Sequence, residues 1–288
     1  MSNIIFLGAS GFVGHPLAAL LQKHNLPVQA YRSSEIDLLS PLAEEKLLSV
    51  LDSDSVLIAS VRAPYQEDGV QQACQDERMG EVIARGLHRK RIKKFIYFST
   101  SAVYGDSRSR LAVAEDADTE PCTPYARAKL TTEKLIMEAS AESGTPVYVL
   151  RIGTIYGPGH SVPPYGPDRF IQSLFKEGTV KIYGDGSEKR DYIYVLDLAE
   201  IVLRFTLQDL SPGIYNIASQ CLSFREILDQ LREVLPTPFK VEWLERKISK
   251  TDVCLDTRKL QRTIPGLPFT EFRTALKKTI SDFQTLHA

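Results

Sequence analysis

The sequence predicts an α/β fold, a doubly wound parallel sheet of the Rossmann kind with a smaller C-terminal α/β lobe, and three observations predict it. Short apolar runs without polar alternation recur through the first half, amphipathic segments separate them, and a glycine-rich turn joins the first run to the first helix. Strands covered on both faces need no alternation, so such runs linked by helices call for parallel pairing. The composition agrees: 288 residues, 43% hydrophobic and 25% charged, describe a globular chain able to bury one large core or two joined ones.

Taken in order, residues 3–7, 27–31, 55–59, 94–99 and 146–151 read as strands, and 15–24, 72–89 and 124–141 as helices between them. Past Gly153 the texture changes. Gly157, Pro158, Gly159, Pro163, Pro164, Gly166 and Pro167 mark a long loop of the kind that faces substrate. A helix near 169–177, a strand over 180–183, a turn at Gly184-Asp185-Gly186, a helix over 197–207 and a strand over 213–217 follow. Ser223 with Glu226 three residues on predicts a capping box opening the helix over 223–235, and a last helix spans about 270–286. Residues 1–153 are therefore expected to form a dinucleotide-binding domain, to which roughly 191–218 return, and 154–288 a substrate-binding lobe.

Charge and cysteine spacing narrow the partners. With 35 Lys+Arg against 36 Asp+Glu, nothing advertises nucleic acid or an anionic membrane, and a small molecule is the expected partner. No basic leader precedes the apolar start, and no run of about 18 apolar residues suggests a span. The four cysteines make no ligand spacing, so no metal is expected, and they read as reduced thiols of a cytoplasmic protein.

The first strand runs into Gly8-Ala9-Ser10-Gly11-Phe12-Val13-Gly14 and then a helix. Gly8 permits the tight turn, Gly11 admits a pyrophosphate to the backbone, Gly14 lets helix and strand touch, and the helix N-terminus offers free N–H groups. Expected cofactor contacts are Gly8, Ser10, Gly11, Phe12 and Val13, then Arg32, Ser33, Asp37 and Leu38 past the second strand, and Ala59 and Ser60 at the end of the third. Arg32 with Ser33 and Ser34 suits a 2′-phosphate, so NADP(H) is favoured, with NAD(H) possible if Glu35 takes the ribose instead.

Hydroxyls close the next strand at Ser99-Thr100-Ser101, and Tyr125-Ala126-Arg127-Ala128-Lys129 opens a helix after Pro124. Tyr125 and Lys129 share one helix face. A phenol ionising near about 10 needs a nearby cation to work at neutral pH, and the Lys129 ammonium one turn away supplies it.

With those residues in place the chain resembles the extended short-chain dehydrogenase/reductases, the nucleotide-sugar epimerase/dehydratase family. The likeness extends through Ser99 to Gly105, Leu150-Arg151-Ile152-Gly153-Thr154-Ile155-Tyr156-Gly157-Pro158-Gly159, the stretch from Tyr183 to Val195, and Tyr215-Asn216-Ile217-Ala218. It implies Thr100, Tyr125 and Lys129 as catalytic residues, Tyr125 and Lys129 also as cofactor contacts, and Ser101, Tyr104, Thr154 and Arg190 as substrate contacts, with Arg190 gripping the nucleotide diphosphate unless it pairs with Asp191. Thr154 stands where many members carry Asn. The Asp-Glu pair that follows the Thr in 4,6-dehydratases is missing, which argues against elimination.

The short passage from Arg32 to Leu38 is similar to 4-ketoreductases of deoxysugar nucleotides. The expected activity is NADPH-dependent reduction of a nucleotide-activated 4-keto-6-deoxy sugar. An NAD-dependent C4 epimerase or another sugar-nucleotide dehydrogenase is the alternative, and a non-catalytic NADP(H) sensor the alternative of another class. A homodimer through the helices at 72–89 and 124–141 is the habit of the family.

Overall fold

Strands form where the uninterrupted apolar runs lie, and helices fill the gaps between them. In chain order the elements are β1 (Ile4–Leu7), α1 (Gly14–Lys23), β2 (Val28–Tyr31), α2 (Ala43–Val50), β3 (Val56–Ala59), α3 (Gly69–Arg89) and β4 (Lys94–Thr100). A single 3-10 turn (Ser101–Tyr104), β5 (Arg110–Val113), α4 (Pro124–Ser143) and β6 (Val147–Ile152) follow. Next come β7 (Thr154–Tyr156), α5 (Gly166–Glu177), β8 (Thr179–Tyr183), β9 (Lys189–Tyr194), α6 (Val195–Leu207) and β10 (Gly213–Ile217). The chain closes with β11 (Gln220–Ser223), α7 (Phe224–Val234), β12 (Lys240–Leu244), β13 (Val253–Leu255), α8 (Arg258–Thr263) and α9 (Phe272–His287). This computed structural model describes residues 2–64, 66–160, 166–246 and 249–287; Pro163 and Pro164 of the expected substrate loop lie outside them.

Six strands make one parallel sheet in the order β10-β6-β4-β3-β1-β2. From β1 the chain steps outward to β2 and then crosses to β3 on the other side, so the order reverses there. The crevice beyond the carboxyl ends of β1 and β3 is where such sheets bind ligands.

The pleat divides the strands between two cores. Ile4, Phe6, Ile58 and Phe98 face α1 and α6, whereas Ile5, Leu7, Leu57 and Tyr97 face α2, α3 and α4. On α1 the fully buried Leu17 and Leu21 each contribute about 1.5–3 kcal/mol of apolar burial. Helices α3 and α4 touch through Gly80, where a Cβ would stand 2.2 Å from the Thr132 hydroxyl.

The second half builds a third core. β9 pairs with β7 and β11, β12 pairs with β8, and α5, α7 and α9 pack around them. Tyr156 sits at its centre, 5.0 Å from the Phe272 ring and 5.6 Å from Tyr194. Ser223 and Glu226 form the expected capping box. The strands β5, β7, β9, β11, β12 and β13 have no expected counterpart; all but β9 have five residues or fewer, β5 and β12 are largely exposed, and β9 opens on the charged Lys189, Arg190 and Asp191, so no apolar run announces them.

One expectation is corrected. Cys221 and Cys254 are joined in a disulfide, with Cα atoms 5.7 Å apart, while Cys74 and Cys122 are free and exposed. The paired residues are 33 positions apart and meet because β11 and β13 both lie against β9, a neighbourhood that spacing cannot reveal. Among the described residues no helix is long and apolar enough to cross a membrane.

Candidate active site

The glycine turn is tightly packed on its inner side and open on its outer one. Gly8 has φ 90°, and a Cβ there would meet the Ser60 carbonyl at 2.7 Å. At Gly14 a Cβ would stand 2.0 Å from the Gly8 oxygen, whereas Gly11 has only that oxygen nearby, at 3.5 Å, and leaves its outer side open to a ligand ahead of α1. The Ser60 hydroxyl donates to the Gly8 carbonyl at 3.2 Å, tying the end of β3 to the turn.

The remaining expected cofactor contacts divide by exposure. Ser10 is exposed, and Phe12 and Val13 are half-buried; Val13 packs on the core, and Phe12 stacks on His160 with centroids 4.1 Å apart. Leu38 and Ala59 turn their side chains into the core, leaving only backbone for a cofactor. Arg32, Ser33 and Asp37 are exposed past β2. The Arg32 N–H donates to the Glu35 carboxylate at 2.9 Å, so an acidic and a basic side chain share this position.

Helix α4 begins where Thr123 accepts the Ala126 N–H at 3.1 Å and Pro124 takes the first turn. Its face presents Tyr125, Lys129 and Glu133 at intervals of four. Lys129 is buried: its ammonium donates to the Val61 carbonyl at 3.3 Å and the Phe98 carbonyl at 3.2 Å, and lies 6.0 Å from the Tyr125 ring centroid. Burial pushes its pKa down to about 8, against the pull of the Asp76 and Glu133 carboxylates. One turn on, Glu133 pairs with Arg151 of β6 at 2.7 Å, both side chains buried, and takes the Ser99 hydroxyl from β4.

Thr100 ends β4 half-buried, its hydroxyl oxygen accepting the Ala102 N–H at 3.2 Å; Ser101 and Thr154 are likewise half-buried. Tyr104, expected at the substrate, is instead enclosed under Arg151 and donates to the Asn216 side chain at 2.7 Å. Inward-pointing positions of the 3-10 turn go to the core, which is why it is hidden. Arg190 is held by Glu188 and by Thr251, where its guanidinium reaches the hydroxyl at 3.3 Å, so its ionic partner is not Asp191.

Asp191 is buried and accepts the Leu255 N–H at 2.7 Å. Burial raises its pKa to about 7. Because the folded-state value lies above the unfolded one, the folded protein loses stability as pH rises from about 4 to about 7. Asp191→Asn is expected to flatten that part of the stability profile. Urea midpoints across the interval check it, and a difference between variant and wild type that stays constant with pH counts against it.

Five residues near the site carry no motif. Asp76 on α3 is buried and accepts the Ala63 N–H at 2.6 Å, while Gln72 donates to the Ala63 carbonyl at 2.9 Å. Those two grip the loop after β3 from the buried face of an amphipathic helix, where among so many polar residues nothing in the sequence singles them out. The Arg62 guanidinium lies over the Tyr125 ring, 4.8 Å from its centroid. His160 contacts the buried Asp168 at 2.8 Å, and Asp168 also accepts the Gly157 N–H at 3.1 Å. Among the described residues no group of three His, Cys, Asp or Glu is arranged to hold a metal ion.

The profile of the NAD dependent epimerase/dehydratase family matches residues 4–218. An uncharacterized UDP-glucose epimerase of Bacillus subtilis (strain 168) is 28% identical over 224 residues, 68% of this chain and 69% of that one. The UDP-glucuronate 4-epimerase of Thermodesulfobacterium geofontis is 29% identical over 198 residues, 66% of this chain but only 59% of its own length. Among solved structures, MoeE5 in complex with UDP-glucose and NAD superposes with a TM-score of 0.85 at 21% identity, covering 99% of this chain and 100% of the other. The UDP-N-acetylglucosamine 4-epimerase from Methanobrevibacter ruminantium M1 gives 0.85 at 20% identity, with 99% of each chain covered.

Proposed function

From the premise that the chain belongs to the NAD dependent epimerase/dehydratase family, we propose that it interconverts nucleotide sugars with NAD by inverting a carbinol carbon, C4 of a UDP-sugar. One run of contacts carries the reading: Gly8 to Ser60 at 3.2 Å, then Val61 to Lys129 at 3.3 Å, with Tyr125 one turn before it. The acid/base helix is thus laced to the dinucleotide turn.

Bound NAD supplies a hydride acceptor and donor. Tyr125 takes the proton from the sugar hydroxyl and returns it after the keto sugar has shown its other face. Thr100 steadies that oxygen, with Ser101 and Thr154 alongside. Glu35, in the turn four residues past β2, suits a ribose hydroxyl, which fits NAD. The relatives named as 4-epimerases support the choice of carbon and of a UDP-sugar. Thr100 is followed by Ser101 and Ala102, with no carboxylate pair for dehydration. The same reading includes a homodimer through the outer faces of α3 and α4.

A second reading, NADPH-dependent reduction of a 4-keto-6-deoxy nucleotide sugar, is favoured by Arg32, exposed where a 2′-phosphate would lie. Cofactor retention separates the two. Purified protein is expected to release NAD on denaturation and to interconvert a pair of UDP-sugar C4 epimers with nothing added. Stoichiometric loss of NADPH absorbance with a 4-keto-6-deoxy nucleotide sugar, and no interconversion, would replace the epimerase by the reductase.

A further inference from the structure

We propose that Arg62 is a positioning residue for the Tyr125 phenol, a second cation laid on its ring that stabilises the phenolate. The Arg62 guanidinium lies 4.8 Å from the ring centroid, nearer than the Lys129 ammonium at 6.0 Å. A cation over an aromatic face is drawn to its electron density, and the attraction grows when the ring carries the oxygen's negative charge. The proposal deepens the reading of the site above and takes from it the role of Tyr125 as proton carrier.

The backbone holds Arg62 in place from both sides. Val61 before it accepts from Lys129 at 3.3 Å, and Ala63 after it is bound through its N–H to Asp76 at 2.6 Å and through its carbonyl to Gln72 at 2.9 Å. The side chain itself is exposed, and among the described residues no carboxylate ion-pairs with it. Its charge is felt by Asp76 and Lys129 as well, but the ring of Tyr125 is the group the guanidinium lies over.

The charged and titratable groups around the phenol come from each element packed there. Lys129 stands on its own helix with Glu133 a turn beyond, Tyr97 on β4, Asp76 on α3 and Arg62 on the loop after β3. Burial keeps Tyr97 neutral by driving its pKa well up. Burial also brings Lys129 down to about 8, and the Arg62 charge pushes the same way. An ammonium lowered that far loses its charge as the pH rises through about 8. A guanidinium does not deprotonate there.

The test titrates Tyr125 itself, from the ultraviolet difference absorbance between otherwise identical proteins carrying Tyr125 or Tyr125→Phe, with and without NAD, so it requires no substrate. Arg62→Met is expected to raise the Tyr125 ionisation by about one pH unit, roughly tenfold less phenolate at any pH below it. Arg62→Lys, which keeps a cation of similar reach, is expected to restore most of the shift. An ionisation that stays put in Arg62→Met, or that Arg62→Lys fails to restore, overturns the proposal. The acid limb of kcat/KM against pH should move with the titration. A limb that holds while the phenol shifts tells against Tyr125 as the proton carrier, and leaves the action of Arg62 on the ring standing.

Discussion

Tyr125→Phe is expected to lower kcat by about 10²–10⁴-fold, the range a positioned acid/base contributes, with NAD binding near that of the wild type. The substitution removes one oxygen from a helix held by other groups. Thr123 still caps α4, Lys129 still donates to the Val61 and Phe98 carbonyls, and the glycine turn is untouched. The loss should therefore fall on kcat far more than on KM. Turnover of sugar nucleotides and equilibrium dialysis of NAD measure the two quantities separately. Cofactor binding with full biological activity in the variant would place the protein among non-catalytic sensors.

Glu133→Ala is expected to cost about 3–5 kcal/mol of folding stability, the consequence of leaving Arg151 charged and alone in the interior. The pair is enclosed and bidentate: the Arg151 Nε lies 3.2 Å from both Glu133 oxygens and Nη2 donates at 2.7 Å. Ser99 adds a third bond to the same carboxylate. Replacing both partners by apolar residues, Glu133→Leu with Arg151→Met, should recover most of the loss, since the pair's desolvation cost disappears with it. Urea unfolding of the three variants checks this. A cost under about 1 kcal/mol for Glu133→Ala would place the pair in the class of solvated surface bridges.

The parallel sheet was legible because each strand is a local apolar run, and the glycine turn because its three glycines sit between a strand and a helix. The Tyr125 and Lys129 pair was legible as helical spacing, and Glu133 continues the same spacing by one further turn. Other features arise only when distant segments meet. Arg62 lies in a loop with no motif, and its relation to Tyr125 exists because α3 grips Ala63 from outside. Tyr104 matched a pattern yet turned inward, since a pattern records residue types and not the direction of a side chain. The NADP(H) expectation rests on Arg32 with Ser33 and Ser34, yet the Glu35 carboxylate folds back onto the Arg32 N–H, so acidic and basic side chains stand together there and residue type alone does not choose between the cofactors.

The place of β10 in the sheet bears on how the chain emerges during synthesis. It pairs with β6, yet the chain first travels through Thr154–Tyr156, α5, β8, β9 and α6 before reaching Gly213. Until then the flank of β6 is an open, apolar edge that invites pairing with another nascent chain. The parallel sheet is therefore complete only once Gly213–Ile217 has arrived, and the interval before that is when a chaperone has most to shield.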